Sequence, residues 1–257
     1  MNKRIESLLM ILALSMAAAP GAFAQGGRAP APPPTTREAA PTDLTGYWVS
    51  QIVDEWRFRV TPQKGDILYL PINAQARKIA EAWDPDKDVA SGQQCKAYGA
   101  VGVMQRPGRM RITWENDTTL KMDFDSGMQS RLLHFVPDPA QKGAPSWQGY
   151  SVAQWQSPAR RGFGEVSSGG SHIPGTLKVV TTNLLPGYIR KNGVPYSGNA
   201  VLTEYINRLS GAQNDEYLIV TAEVNDPTYL VQPFVRSYQF KKVADSTGWD
   251  PMQCLPR

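Results

Sequence analysis

The sequence predicts a mostly β protein: an antiparallel up-and-down β-barrel of about nine or ten strands with one short helix. Three observations predict it. Segments rich in Val, Ile, Tyr, Phe and Trp recur along the chain and several of them alternate apolar with polar residues. Turn-forming clusters such as Pro-Gly, Asn-Asp and Asp-Ser-Gly separate them. One stretch alone keeps a convincing helical period. Strands in meander order close most simply into a barrel, which removes the exposed edges of an open sheet. A β-sandwich is the alternative.

The elements follow in order. Residues 1–24 have the marks of an export signal: Lys3 and Arg4, an apolar run from Leu8 to Ala19, and the small-x-small site Ala22-Phe23-Ala24. The run is short for a membrane span. Residues 25–41, Pro/Ala/Gly-rich with no large apolar side chain, predict a disordered tether. Residues 42–257 are then one domain. "LTGYWVSQIVDEWRFRV" (44–60) reads as its first strand. "NAQARKIAEAW" (73–83) reads as the helix, N-capped by Asn73 and ended by Pro85, with Ala76, Ile79, Ala80 and Trp83 on one face. "VGVMQR", "MRITWE", "TLKMDF" and "MQSRLLHFV" read as consecutive hairpin strands, with Met110, Ile112 and Trp114 alternating against Arg111, Thr113 and Glu115. "WQGYSVAQW" adds a further strand. Residues 157–175, rich in Gly, Ser and Pro, read as a long mobile loop. "LKVVTTNLL", "AVLTEYINRL", "EYLIVTAEVND" and "YLVQPFVRSYQFKKV" complete the set, with "PGYIRKNGVPYSGN" as a separator.

Composition narrows the function. The net charge is +4, and losing Lys3, Arg4 and Glu6 with the leader lowers it to +3. The basic residues form no stripe interleaved with aromatics, so nucleic acid is an unsuitable partner. An exported chain with two cysteines predicts a Cys95–Cys254 disulfide. The two histidines, His134 and His172, sit in no metal-ligand spacing, and no metal or cofactor is expected. Asp84-x-Asp86-x-Asp88 lacks the following Gly and Glu of a calcium loop and reads as a solvated turn. No P-loop, dinucleotide fingerprint or nucleophile elbow is present.

Gly46-x-Trp48 on the first strand, after a short polar lead-in, resembles the Gly-x-Trp signature of lipocalins and other calycins. Thr203-Glu204-Tyr205 resembles that family's Thr-Asp-Tyr element with Glu for Asp. The resemblance implies that Trp48 packs across the base of a barrel, that Arg236 in the last strand covers it, and that the interior holds one small ligand. Gly46 and Tyr205 stand further apart than the family's spacing, with the helix and the 137–175 segment between them. The chain is also similar overall to a group of exported bacterial proteins of unassigned function, a likeness that implies export and a single domain and points to no particular activity.

The function that follows is an exported, periplasmic or secreted, lipocalin-like protein that binds a small apolar or amphipathic molecule inside the barrel. Trp48, Trp114, Phe124 and Tyr205 would line the interior with Met110, Ile112, Leu120 and Met122. Arg131 or His134 would orient a polar end, Arg131 because a guanidinium can hold a carboxylate through two bonds. Two other classes stay open. One is a barrel enzyme (isomerase, cyclase or lyase) using acid–base residues such as His134 and Glu204, or Glu223 beside an arginine. The other is a cell-envelope interaction or structural protein.

Overall fold

The computed structural model describes residues 32–60, 62–156 and 175–255. The expected export signal, residues 25–31 of the expected tether, and residues 157–174 with His172 lie outside the described residues. Thr35 and Glu38 cap a turn through reciprocal bonds, and the Arg37 amide donates to the Asp117 carbonyl, so the ordered chain starts ahead of Thr42.

The fold is a closed nine-stranded barrel. Its strands are β1 (Gly46–Gln51), β2 (Arg109–Asn116), β3 (Thr119–Phe124), β4 (Gln129–His134), β5 (Tyr150–Gln156), β6 (Thr176–Thr182), β9 (Val201–Ser210), β10 (Glu216–Asn225) and β11 (Phe234–Val243). The hairpin β7 (Gly187–Arg190) and β8 (Val194–Tyr196) stands outside this ring. Each barrel strand pairs with its sequence neighbour in the ring, and β1 closes on β11 through Tyr47↔Val243 to Gln51↔Gln239. Strict antiparallel alternation around a ring needs an even number of strands. With nine, one pair must run parallel, and it is β4 with β5, joined by the crossover 135–149. Gly149 (φ +63°) delivers the chain into β5, where a Cβ would strike the Thr182 carbonyl.

The hairpins of β2, β3 and β4 have the expected register, Met110↔Phe124, Ile112↔Met122 and Leu120↔Leu133. Alternation puts Met110, Ile112, Leu120, Met122, Leu133, Leu177, Val179, Leu218 and Val220 in the interior, each buried to 1% exposure or less.

Four helices occur among the described residues: α1 (Trp56–Val60), α2 (Ala74–Ala82), α3 (Pro85–Ala90) and α4 (Ala100–Val103). α2 is the expected helix, and Asn73 Oδ1 accepts from the Ala76 amide as its N-cap. Two expectations are corrected. The first strand stops at Gln51, and "WRFRV" turns into α1, because Phe58 and Arg59 are drawn beneath the chain. The first half of "VGVMQR" is helical: α4 lies against β7, where the Gln105 side chain donates to the Ile189 carbonyl. The segment between β1 and β2, the β7–β8 hairpin and the β10–β11 connection gather at one end of the barrel, joined by Asn73 N–H to Tyr229 O and Val231 N–H to Pro71 O. A Cys95–Cys254 disulfide ties this helical cap to the C-terminal tail. No helix of the described residues is long and apolar enough to cross a membrane.

Candidate binding site at the helix-capped end of the barrel

The interior positions are occupied by the protein itself. Trp48 is fully buried, and its indole N–H donates to the Leu44 carbonyl at 3.0 Å. Its ring is covered by the Lys242 ammonium 5.6 Å away, not by Arg236, since Lys242 is its register partner on β11. Phe124 points inward and is buried. Trp114 also points inward, at the end of the barrel opposite the helices, stacked on Phe135, which stacks in turn on Trp155. Side chains with no exposed surface border no water-sized void, so the middle of the barrel is solid at Trp48, Met110, Ile112 and Met122.

Arg131 does not await a ligand. It is the centre of a buried polar chain. Its guanidinium donates two bonds to Glu204, at 2.6 and 3.0 Å, and one to Thr181, whose hydroxyl meets Ser151. Both charged side chains are 1% exposed. Tyr205 is corrected to the outer face: Leu202, Glu204 and Ile206 point inward, so Tyr205 points out, beneath the Lys178 ammonium. His134 also lies outside the barrel, stacked on Tyr150 at 4.9 Å, with Nδ1 3.4 Å from the Thr119 hydroxyl. Burial there lowers its imidazole pKa.

Open space lies beside the barrel. A cavity of about 760 Å³ is lined by Val60, Pro62, Gln63, Lys64, Ala82, Trp83, Asp84, Pro85, Lys87 and Lys191. Its size falls within the range of small-molecule sites. The wall between α2 and α3 is built on Trp83, whose indole N–H donates to Asp88 at 2.9 Å. Asp88 also accepts from the Tyr188 hydroxyl and from Lys96, which fixes the wall from β7. Gly193 (φ +83°), in the β7–β8 turn, lies against the Trp83 ring, where any Cβ would clash. Lys191 lines the space from the same turn and lies over the Tyr98 ring at 5.8 Å. Burial, and then the nearby Arg106 guanidinium, push its ammonium pKa down to about 8.

The Asp84, Asp86 and Asp88 run serves this architecture. Asp84 caps α3 through the Asp86 amide, and Asp88 is taken up by Trp83 and Tyr188. The described residues hold no group of three or more His, Cys, Asp or Glu placed to bind a metal. Sequence reasoning missed the cavity because its lining comes from α1, α2, α3 and the β7–β8 turn, which no local spacing links. The one signal present was Trp83 at the end of the only periodic helix. No protein-family model, curated protein or solved structure matches the chain.

Proposed function

We propose that this protein is an exported, lipocalin-like binding protein for a small amphipathic molecule carrying an acidic group. The ligand enters the cavity beside the barrel, with its apolar part against Val60, Ala82, Trp83 and Pro85 and its acidic group toward Lys191. The observation that carries this reading is the juxtaposition of an apolar wall with a partly desolvated cation in a space of small-molecule size. Support for export comes from the disulfide, which persists in oxidising compartments.

The test is fluorescence titration with a long-chain fatty acid probe and its methyl ester. Binding of the acid should quench tryptophan emission and be lost in Trp83→Ala. Lys191→Met should weaken the acid about tenfold or more, the worth of a charge-assisted hydrogen bond, and leave the ester unchanged. Affinity for the acid should fall as pH rises through about 8, because Lys191 gives up its proton there. Equal binding by wild type and both variants would sink the reading.

A further inference from the structure

We propose that four arginines gathered under α1 form a site for a tetrahedral oxyanion of the phosphate class, which takes the place the Glu55 carboxylate holds at their partly exposed edge. They are Arg59 from α1, Arg106 from the turn after α4, Arg190 at the end of β7, and Arg236 from β11. This goes beyond the amphipathic-ligand reading and rests on different residues.

The four are brought together through shared partners. Glu55 accepts from Arg236 Nη2 at 2.8 Å, and its other oxygen lies 3.9 Å from Arg190 Nη2. The Arg59 guanidinium sits 5.3 Å from the centre of the Tyr238 ring, and its Nε donates to the Gln105 carbonyl, adjacent to Arg106. Arg59 and Arg106 also act electrostatically on Tyr238, as does Arg236. Arg59, Arg106 and Arg190 are buried. Arg236 and Glu55 are partly exposed and form the outer edge.

Their donors outnumber their acceptors. Among the described residues, Arg59 Nη2, Arg106 Nε and Nη2, Arg190 Nη2 and Arg236 Nε are buried without a hydrogen-bond partner. Buried polar groups are normally bonded, and a buried guanidinium with free N–H groups costs more than almost any other arrangement. The neighbouring acids do not balance the charge. Glu204 is held by Arg131, Asp66 by Arg57, and the half-exposed Asp54 accepts a single bond from Arg59 Nη1 at 3.3 Å. Glu55 alone is shared, by two arginines. Burial, and to a smaller extent repulsion from neighbouring arginines, pushes the pKa of Arg106 and of Arg190 down to about 10. A carboxylate offers two oxygens in one plane, whereas these donors come from four elements. A tetrahedral oxyanion offers four oxygens in three dimensions and suits forked guanidinium donors. Glu55, held at φ +48°, is the internal carboxylate at the rim of this site, and an arriving anion competes with it.

The experiment is thermal unfolding of the full chain in inorganic phosphate, against sodium chloride of equal ionic strength. The melting temperature should rise by about 3–5 °C for each tenfold increase in phosphate above saturation. Arg106→Met should abolish that rise. Glu55→Gln should lower the phosphate concentration at which it begins, by removing the competitor. No rise beyond the chloride control, or an equal rise in Arg106→Met, would overturn the proposal. Should Arg106→Met fail to fold, Glu55→Gln decides: a shift to lower phosphate supports the site, and no shift overturns it. Fatty acid binding in the neighbouring cavity is scored separately with Trp83→Ala, so either reading can fail alone.

Discussion

Arg131 shows how a residue can be singled out for the right reason and assigned the wrong role. Its position between hydrophobic residues marks it as unusual, and the expected two-bond carboxylate partner exists. That partner is Glu204 of the same chain, brought across the barrel from β9. Nothing in the local sequence joins positions 131 and 204, so the pair was illegible, although each member was visible as a mid-strand charge. Its energetics follow from desolvation. Arg131→Ala should cost about 3–5 kcal/mol in urea unfolding, because Glu204 is left charged and unpaired in the interior. The double change Arg131→Met with Glu204→Leu should recover most of that loss, since apolar replacement of a buried pair is often neutral or stabilising. If the double variant were as unstable as the single one, packing around the pair, not charge, would set the cost. The four arginines under α1 were illegible for the same reason: they are scattered over four elements and meet only in three dimensions.

At the scale of elements, alternation was the dependable signal. β2, β3, β4, β6, β9 and β10 stand where period-two patterning puts them, because one face of each is buried and a one-residue slip would invert it. The single periodic helix and its Asn73 cap were equally legible. The failures came where tertiary contact outweighed propensity. "WRFRV" has strand-forming residues, yet becomes α1 as Phe58 meets Tyr69 and Arg190. "VGVMQR" has the valines of a strand, yet its four-residue helix is held by the bonds from Gln105 and by β7. "PGYIRKNGVPYSGN" reads as a separator in the sequence and is the β7–β8 hairpin that backs the cavity. That hairpin can be tested through its turn. Gly193→Ala should destabilise by about 1–3 kcal/mol, from its left-handed backbone and from contact with Trp83. It should also shift tryptophan emission and weaken the fatty acid probe. Unchanged emission would mean that Trp83 is not held by the turn.

For the whole molecule, two features set stability. The disulfide closes a loop of sequence separation 159 and joins the helical cap to the tail, where the Leu255 amide also donates to the Tyr98 hydroxyl. Replacing both cysteines by alanine should lower unfolding free energy by up to about 5 kcal/mol, measured in guanidinium chloride. A loss near zero would place the tail outside the cooperative unit. Lys191 sets a pH dependence. Its folded pKa is below the unfolded value, so the unfolded chain holds more protons between about 8 and 10.5. Stability from this group should therefore rise with pH across that window. Lys191→Met should flatten the rise, seen as melting temperature against pH.

The seam between β1 and β11 carries a consequence in time. A polypeptide is made from its N-terminus, so β1 appears first while its partner β11 appears nearly last. Until β11 arrives, β1 can pair only with β2, and its other edge stays open beside Trp48. The nascent chain must therefore wait with an unsealed, aggregation-prone edge. Its yield in a cell should depend on how quickly the last strand is delivered and on holding chaperones that shield the first.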